Sequence, residues 1–319
     1  MALNVFEKLL KAVRDAYDAD ILLYVGSIDR PFDDHFIARC KAYKKRPNVL
    51  LVLTTLGGDP NAAYRIARCL QEEYGINRGN GDQPDVEPKD AGKFYLFVDS
   101  RCKSAGTILA TGATHLIMSD FAELGPIDVQ LRKGDEVGER SSSLTPMHAI
   151  ESIRDLSIKY FEDCFKELRF NQDLLFGTKG ASEIATRMAT SLFGEIFSQI
   201  DPMRVAEFDR AMRIASEYGS RLGANHLKPG GLARLVAAYP THGFVIDRKE
   251  ATEIFKSVEK PSKDLVTLGE FVREHWEPKH LTTPEPLLLA LTIPKLDHED
   301  DEEAPVVDGA QPAAGAVES

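Results

Sequence analysis

Two strand–loop–helix units lie in the first third of the chain, and they limit the folds it can adopt. In the first unit the apolar run 49–53 precedes Gly57-Gly58 and a helical stretch at 62–73. In the second, the apolar run 94–98 is rich in β-formers, and the small apolar residues 108–113 suit a tightly packed helix. This alternation predicts an α/β fold in which short strands form a core sheet flanked by helices.

Ser104 lies where the loop after the second strand turns into a helix. One interpretation is an N-cap, whose hydroxyl accepts a hydrogen bond from a first-turn N–H and stabilises the helix by about 1 kcal/mol. The other is a nucleophile beside a helix N-terminus, which favours negative charge. Cys102 is a third candidate as a thiol nucleophile, although a lone cysteine is more often a small buried hydrophobic residue.

The Gly57-Gly58 pair also has two interpretations. Glycines after a strand let backbone N–H groups face a ligand with no Cβ in the way, so two such groups beside a nucleophile would form an oxyanion hole. The structural alternative is an ordinary turn before a helix that starts at Pro60. The order and spacing of the two units favour the nucleophile and its oxyanion hole.

Three segments carry a resemblance to a known family: IDRPFDD, VLLVLTTLGGDPNAAYRIA and FVDSRCKSAGTILATGATHLIMSDFAELGPIDVQ. They resemble the Clp-protease/crotonase superfamily, in particular the SDH-type serine proteinases (serine dehydrogenase proteinases), which are related to signal peptide peptidase A. The resemblance covers residues 20–131 and, weakly, 235–256. It implies a Clp/crotonase-like spiral fold, Ser104 as the nucleophile, and an oxyanion and substrate-binding turn at Gly57, Gly58 and Ala105.

The general base that a serine nucleophile needs is harder to identify. The histidine of the Clp proteases would fall near residues 125–128, where this chain reads GPID, and their aspartate would fall on Gly243. A standard Ser-His-Asp triad is therefore not legible. His242 is the candidate base and Asp128 an assisting carboxylate, while a loop-anchoring role for His242 is the structural alternative. Lys133 and a residue of another subunit stay open as bases.

Composition narrows the function classes. The chain has 319 residues and a formal net charge of −11, which argues against nucleic-acid or anionic-membrane binding. Its four cysteines follow no metal-binding or disulfide spacing, which indicates a reducing, cytoplasmic compartment and no metal. No apolar run approaches the ~20 residues of a membrane span, and charged residues interrupt any signal-peptide pattern at the N-terminus.

The remaining segments suggest one domain over residues 1–296 with a helical insertion at about 146–228. Residues 75–92 and 132–143 are polar and are predicted as loops. Residues 297–319 carry eight acidic residues and no lysine or arginine, which indicates a disordered acidic tail.

Two outer segments could pack within the chain or on a neighbouring subunit. Residues 3–18 have the apolar spacing of an amphipathic helix, and residues 287–291 are an apolar stretch bounded by prolines. The resemblance implies a homo-oligomer, because proteins of this fold usually assemble into rings.

The function predicted from these observations is a serine endopeptidase without a cofactor, which cleaves peptide or protein substrates through an acyl-enzyme on Ser104. Two alternatives stay open. One is a scaffold that keeps the fold and has lost the base. The other is crotonase-type acyl-CoA chemistry, in which the same amides would polarise a thioester, although no basic patch for the CoA phosphates is evident.

Overall fold

The computed structural model describes residues 3–76, 91–127, 130–132, 140–142, 144–174 and 176–291. Most of the predicted loop at 75–92 and all of the predicted acidic tail at 297–319 therefore lie outside the described residues. The strands are β1 Ala19–Val25, β2 Asn48–Thr54, β3 Phe94–Val98, β4 Arg101–Cys102, β5 His115–Met118, β6 Glu123–Leu124, β7 Gln130–Arg132, β8 Arg140–Ser142, β9 Val258–Glu259 and β10 Leu287–Ala290. The helices are α1 Leu3–Tyr17, α2 Phe32–Tyr43, α3 Pro60–Glu73, α4 Ala105–Thr111, α5 Leu144–Phe170, α6 Thr178–Ser198, α7 Pro202–Gly223, α8 Gly231–Ala237, α9 Arg248–Ile254, α10 Lys263–His275 and α11 Glu277–His280.

A six-stranded sheet forms the centre of the molecule, in the order β10-β1-β2-β3-β5-β9. Neighbouring strands are parallel, except that β10 runs antiparallel to β1. The strands β1, β2 and β3 are nearly continuous apolar runs because helices cover both faces of the sheet. The predicted α/β class, with a core sheet flanked by helices, is confirmed; the spiral arrangement stays a prediction.

Alternate side chains of each strand enter two separate cores. Tyr24, Leu51 and Leu96 pack with residues of α2, α3 and α4 on one face. Leu23 and Phe97 pack on the other face, against α1 and α10. The period-two alternation of strand side chains therefore gives three layers, helix–sheet–helix.

The N-terminal amphipathic helix and the C-terminal apolar stretch both pack within the chain. The Phe6 ring of α1 lies 4.7 Å from the Phe271 ring of α10, so α1 covers the sheet. The 287–291 stretch extends as β10, which pairs Ala290 with Leu22 on the free edge of β1. An unpaired strand edge exposes hydrogen-bonding groups, and this pairing satisfies those of β1.

The region predicted as helical at about 146–228 contains α5, α6 and α7, and its being an insertion stays a prediction. The helix α7 begins at a strong local signal, because Asp201 accepts a hydrogen bond from Met203 N and Pro202 occupies the first turn. The polar stretch at 132–143 differs in part from the predicted loop, because residues 140–142 form the strand β8, which pairs antiparallel with β7 at 130–132. Cross-strand backbone pairing of this kind leaves no apolar signature in the sequence.

His226 follows α7 and is pinned against the segment before β9, where its carbonyl accepts from Lys256 N at 2.9 Å. Burial, with smaller contributions from Lys256 and His115, lowers the pKa of His226 from 6.5 to about 4. Between these two pH values the unfolded chain binds a proton at His226, whereas the folded chain does not. The free energy of unfolding should therefore fall as pH drops from about 6.5 to about 4, by at most about 3 kcal/mol. Thermal unfolding across this range should reveal the loss.

A His226→Gln variant is the control for this prediction. It removes the titrating group, so its melting temperature should depend less on pH between 6.5 and 4 than that of the parent chain. Equal slopes for the two proteins would contradict the assignment of the pH dependence to His226.

Candidate functional site

The candidate site lies at the carboxyl ends of the parallel strands, the edge where ligands bind in open α/β sheets. The backbone beyond β2 and β3 continues as a second, smaller hydrogen-bonded layer. Thr55 N donates to Arg101 O at 2.8 Å, and Lys103 N donates to Thr55 O at 3.1 Å. The strand β4 pairs in parallel with β6, and Ile28 forms a bridge with Gly58. These short pairings bring loops from four parts of the chain together.

Ser104 precedes α4 with a backbone φ of 51° and ψ of −112°. Residues with a Cβ seldom adopt positive φ, and when they do they often belong to functional sites. A helix-capping residue normally has β-region dihedrals, and the Ser104 side chain makes no capping hydrogen bond. Ser104 thus occupies the N-cap position, but its hydroxyl does not cap α4, unlike in the N-cap interpretation. The side chain is partly exposed to solvent, and this strand-to-helix turn resembles the strained elbow that presents a serine in α/β-hydrolases.

Gly57 lies directly against Ser104. A Cβ placed on Gly57 would come within 2.9 Å of Ser104 Cβ and 3.4 Å of Ser104 Oγ. Gly57 also has a φ of 115°, which L side chains rarely adopt. Both the contact and the conformation therefore require glycine at this position.

The amide groups around Ser104 differ in their availability. Gly57 N donates to Thr55 Oγ1 at 3.0 Å, so the Gly57 N–H is already bonded, unlike in the predicted oxyanion hole. Among the described residues, no acceptor takes the N–H of Gly58 or of Ala105, which is the first residue of α4. A Cβ on Gly58 would lie 2.2 Å from Ile28 O, which explains the second glycine.

The loop after β6 is fixed to α4 by Thr107. Its hydroxyl is buried and donates to Gly125 O at 2.7 Å, and it also lies 3.1 Å from Cys102 O. This contact fixes the backbone at Gly125 against α4, the helix that Ser104 precedes. Asp128, the assisting carboxylate, and Lys133, the alternative base, both lie outside the described residues.

His242 lies in a turn in which Phe244 N donates to Thr241 O at 3.1 Å. Two hydrogen bonds of 3.0 Å join Leu124 and Ile246, so the turn is attached to β6, directly before the loop that carries Gly125. The His242 side chain is partly exposed. The fold thus brings the His242 segment to the loop beside Ser104.

Lys103, which the sequence analysis missed, connects these parts. Its side chain is 11% exposed, and its Nζ lies 3.1 Å from Glu123 Oε2. The same ammonium group donates to Leu124 O and Phe244 O, each at 3.2 Å. The signal in the sequence that could have identified Lys103 was its position between an apolar Cys102 and the candidate nucleophile Ser104.

The thiol alternative is excluded by burial. Cys102 is fully buried in β4, and burial raises the pKa of its thiol to about 12, with Lys103 opposing the shift. The thiol is therefore protonated at neutral pH, and thiols attack as thiolates.

Within the described ranges, no group of three or more His, Cys, Asp or Glu side chains could hold a metal ion. None of the helices described here has the length and apolarity needed to cross a membrane.

Comparisons with known proteins give only distant likenesses. No family model matches the chain, and no curated protein matches it. Two similar solved structures are both of the 1510-N membrane-bound stomatin-specific protease. One is a lysine-to-alanine mutant in complex with a substrate peptide, with a TM-score of 0.27 and 18% identity over 45% of this chain and 62% of that chain. The other is a serine-to-alanine mutant, with a TM-score of 0.26 and 16% identity over 53% of this chain and 72% of that one. Likenesses of this size do not establish a family, so the function is argued from the site itself.

Proposed function

We propose that the chain is a serine endopeptidase of the SDH type, which hydrolyses peptide bonds through an acyl-enzyme on Ser104. The observation that carries this proposal is the backbone of Ser104, held at a φ of 51° with its side chain against Gly57 and without a capping hydrogen bond. Holding a serine in this conformation costs of order 1–3 kcal/mol. A role in which the hydroxyl reacts accounts for that cost, whereas a role in capping α4 does not.

The proposed reaction assigns each bond to a residue. Ser104 Oγ attacks the peptide carbonyl carbon and its proton passes to His242, which then protonates the departing amine as the C–N bond breaks. The N–H groups of Gly58 and Ala105 hold the oxyanion. Gly57 fixes the conformation of the turn, with its own N–H bonded to Thr55 Oγ1. Water then hydrolyses the ester on Ser104. Asp128 would orient the base, and Lys133 is the alternative base.

Features outside the site fit the wider setting that we propose. Cys40, Cys69, Cys102 and Cys164 are all free thiols, as a cytoplasmic compartment would keep them. A groove of about 380 Å³ between α5 and α6 is lined largely by apolar and small side chains, among them Phe161, Phe193 and Phe197. An apolar surface of this kind suits contact between copies of the chain, which supports a homo-oligomer.

Pre-steady-state kinetics test this function. With a peptide p-nitrophenyl ester, an acyl-enzyme mechanism should release a burst of nitrophenol of one equivalent per active chain before slower turnover. The same preparation should cleave unfolded casein at internal bonds. A chain that gives no burst and no cleavage is a scaffold. A large thermal shift with CoA, combined with no burst, would favour acyl-CoA chemistry instead.

His242→Gln should lower kcat by about 10²-fold, because loss of a general base removes 10²–10⁴-fold of rate. The acidic limb of the pH–rate profile, which reports protonation of the base, should disappear at the same time. The exposed His275, which is bonded through its Nδ1 to Phe271 O, provides the matched control, since His275→Gln should retain full activity. Unchanged turnover in His242→Gln would remove His242 from the mechanism.

A further inference from the structure

The Lys103 ammonium is a buried charge that the proposed reaction does not use. Its side chain is 11% exposed, and burying an ammonium group is costly unless it is paired and hydrogen-bonded. Lys103 meets this requirement with the carboxylate of Glu123 and the carbonyls of Leu124 and Phe244, at 3.1, 3.2 and 3.2 Å. An ammonium group has three donors, so its hydrogen-bonding capacity is filled by these acceptors.

The lysine is not placed to act as the base. A base needs a lone pair directed at the nucleophile, whereas the Nζ of Lys103 is a donor to two carbonyls and an ion-pair partner of Glu123. Gly125 lies beside the stem of the side chain, because a Cβ on Gly125 would come within 2.7 Å of Lys103 Cδ. The absence of a side chain at Gly125 therefore leaves room for the stem of Lys103.

The three partners of Lys103 belong to two segments that flank Ser104. Glu123 and Leu124 form β6, whose loop carries Gly125, and Phe244 lies two residues after His242. The backbone of Lys103 belongs to the Ser104 turn, since its carbonyl accepts from Gly106 N at 2.9 Å. One side chain thus joins the turn of the nucleophile to the segment of the candidate base.

We propose that Lys103 is a positioning residue, which holds the His242 segment in register with the Ser104 turn by binding Phe244 O. The loss of rate expected from this inference rests on the proposed function, whereas the expected change in mobility of the 241–246 turn does not. Without the ammonium group the 241–246 turn loses its contact at Phe244 O and keeps its attachment through Ile246 and the packing of the Phe244 ring on Tyr239. It should therefore move more and hold His242 less well. A misplacement of about 1 Å at a reacting group can cost about 10²-fold in rate.

The test compares Lys103→Met with Arg101→Met in the full chain. Arg101 is the matched control because it also lies near Glu123, at 4.0 Å, but is 53% exposed and donates to no atom of the His242 segment in the described structure. Hydrogen–deuterium exchange should rise over residues 241–246 in Lys103→Met and stay unchanged in Arg101→Met. If Lys103→Met fails to fold, Lys103→Gln, which keeps a shorter amide donor, takes its place.

Kinetics supply the second readout. Lys103→Met should lower kcat at least ~10-fold with little change in KM. Because Lys103 acts through His242, the double variant with His242→Gln should be no slower than His242→Gln alone, whereas independent effects would multiply. Unchanged exchange at 241–246, or multiplied losses in the double variant, would overturn the inference. A parent chain without a burst, combined with raised exchange in Lys103→Met, would refute the proposed function and leave the structural role of Lys103 standing.

Discussion

A Ser104→Ala variant should lose peptide hydrolysis by ~10⁴-fold or more, since removing the nucleophile of a serine peptidase leaves only the catalysis of the oxyanion hole and binding. The variant keeps a Cβ on the same strained backbone, so its melting temperature should stay near that of the parent. Casein cleavage followed by fluorescence measures the loss. Ser198→Ala, which removes an exposed hydroxyl that donates to Glu195 O, is the control and should remain active.

Ser104→Gly separates chemistry from strain. It removes the same hydroxyl but also the Cβ, and glycine adopts a φ of 51° at little steric cost. Relief of this strain should stabilise the folded chain, whereas the greater entropy of glycine in the unfolded state opposes that gain. We expect a net stabilisation of about 1 kcal/mol relative to Ser104→Ala. If Ser104→Gly were less stable than Ser104→Ala, the backbone at Ser104 would not be strained as described.

Gly57→Ala should lower activity by about 10³-fold, the upper range for disturbing one side of an oxyanion hole. The new methyl group would lie 2.9 Å from Ser104 Cβ and would sit on a backbone with a φ of 115°. Relief of this contact must move either the serine or the turn that presents the Gly58 amide. The rate of p-nitrophenyl ester burst formation measures the effect on the acylation step.

Gly177→Ala is the matched control for this change. Gly177 has an ordinary φ of −67°, and nothing lies within 4 Å of a Cβ placed there. Its activity and melting temperature should match those of the parent chain. Full burst amplitude and rate in Gly57→Ala would mean that the Gly57 turn does not border the reacting atoms.

The elements with strong local signals were predictable from the sequence. The apolar runs at 49–53 and 94–98 became central strands because both faces of the sheet are buried. Asp247 caps α9 by accepting from Glu250 N, and an aspartate followed three residues later by a glutamate is a local pattern typical of a helix start. The sequence did not decide whether residues 287–290 pack within the chain or on a neighbouring subunit, because their partner β1 lies more than two hundred residues away in the chain.

The site was only partly predictable, for the same reason of distance. The contact between Gly57 and Ser104 followed from two loops that leave the same end of a sheet. The hydrogen bond from Gly57 N to Thr55 Oγ1 did not, since it depends on the local turn geometry. Lys103 was missed because a lysine in a loop is normally solvated, and its burial depends on Phe244, which is remote in sequence.

The central claim is that the Ser104 hydroxyl is an activated nucleophile, and covalent labelling tests it most directly. The wild-type chain is treated with a fluorophosphonate, and the modified residue is located by peptide mass spectrometry. We expect one phosphonyl group per chain, on Ser104, and none on the Ser104→Ala variant. A wild-type chain that stays unmodified, or that is modified at another residue while Ser104 remains free, would contradict the account.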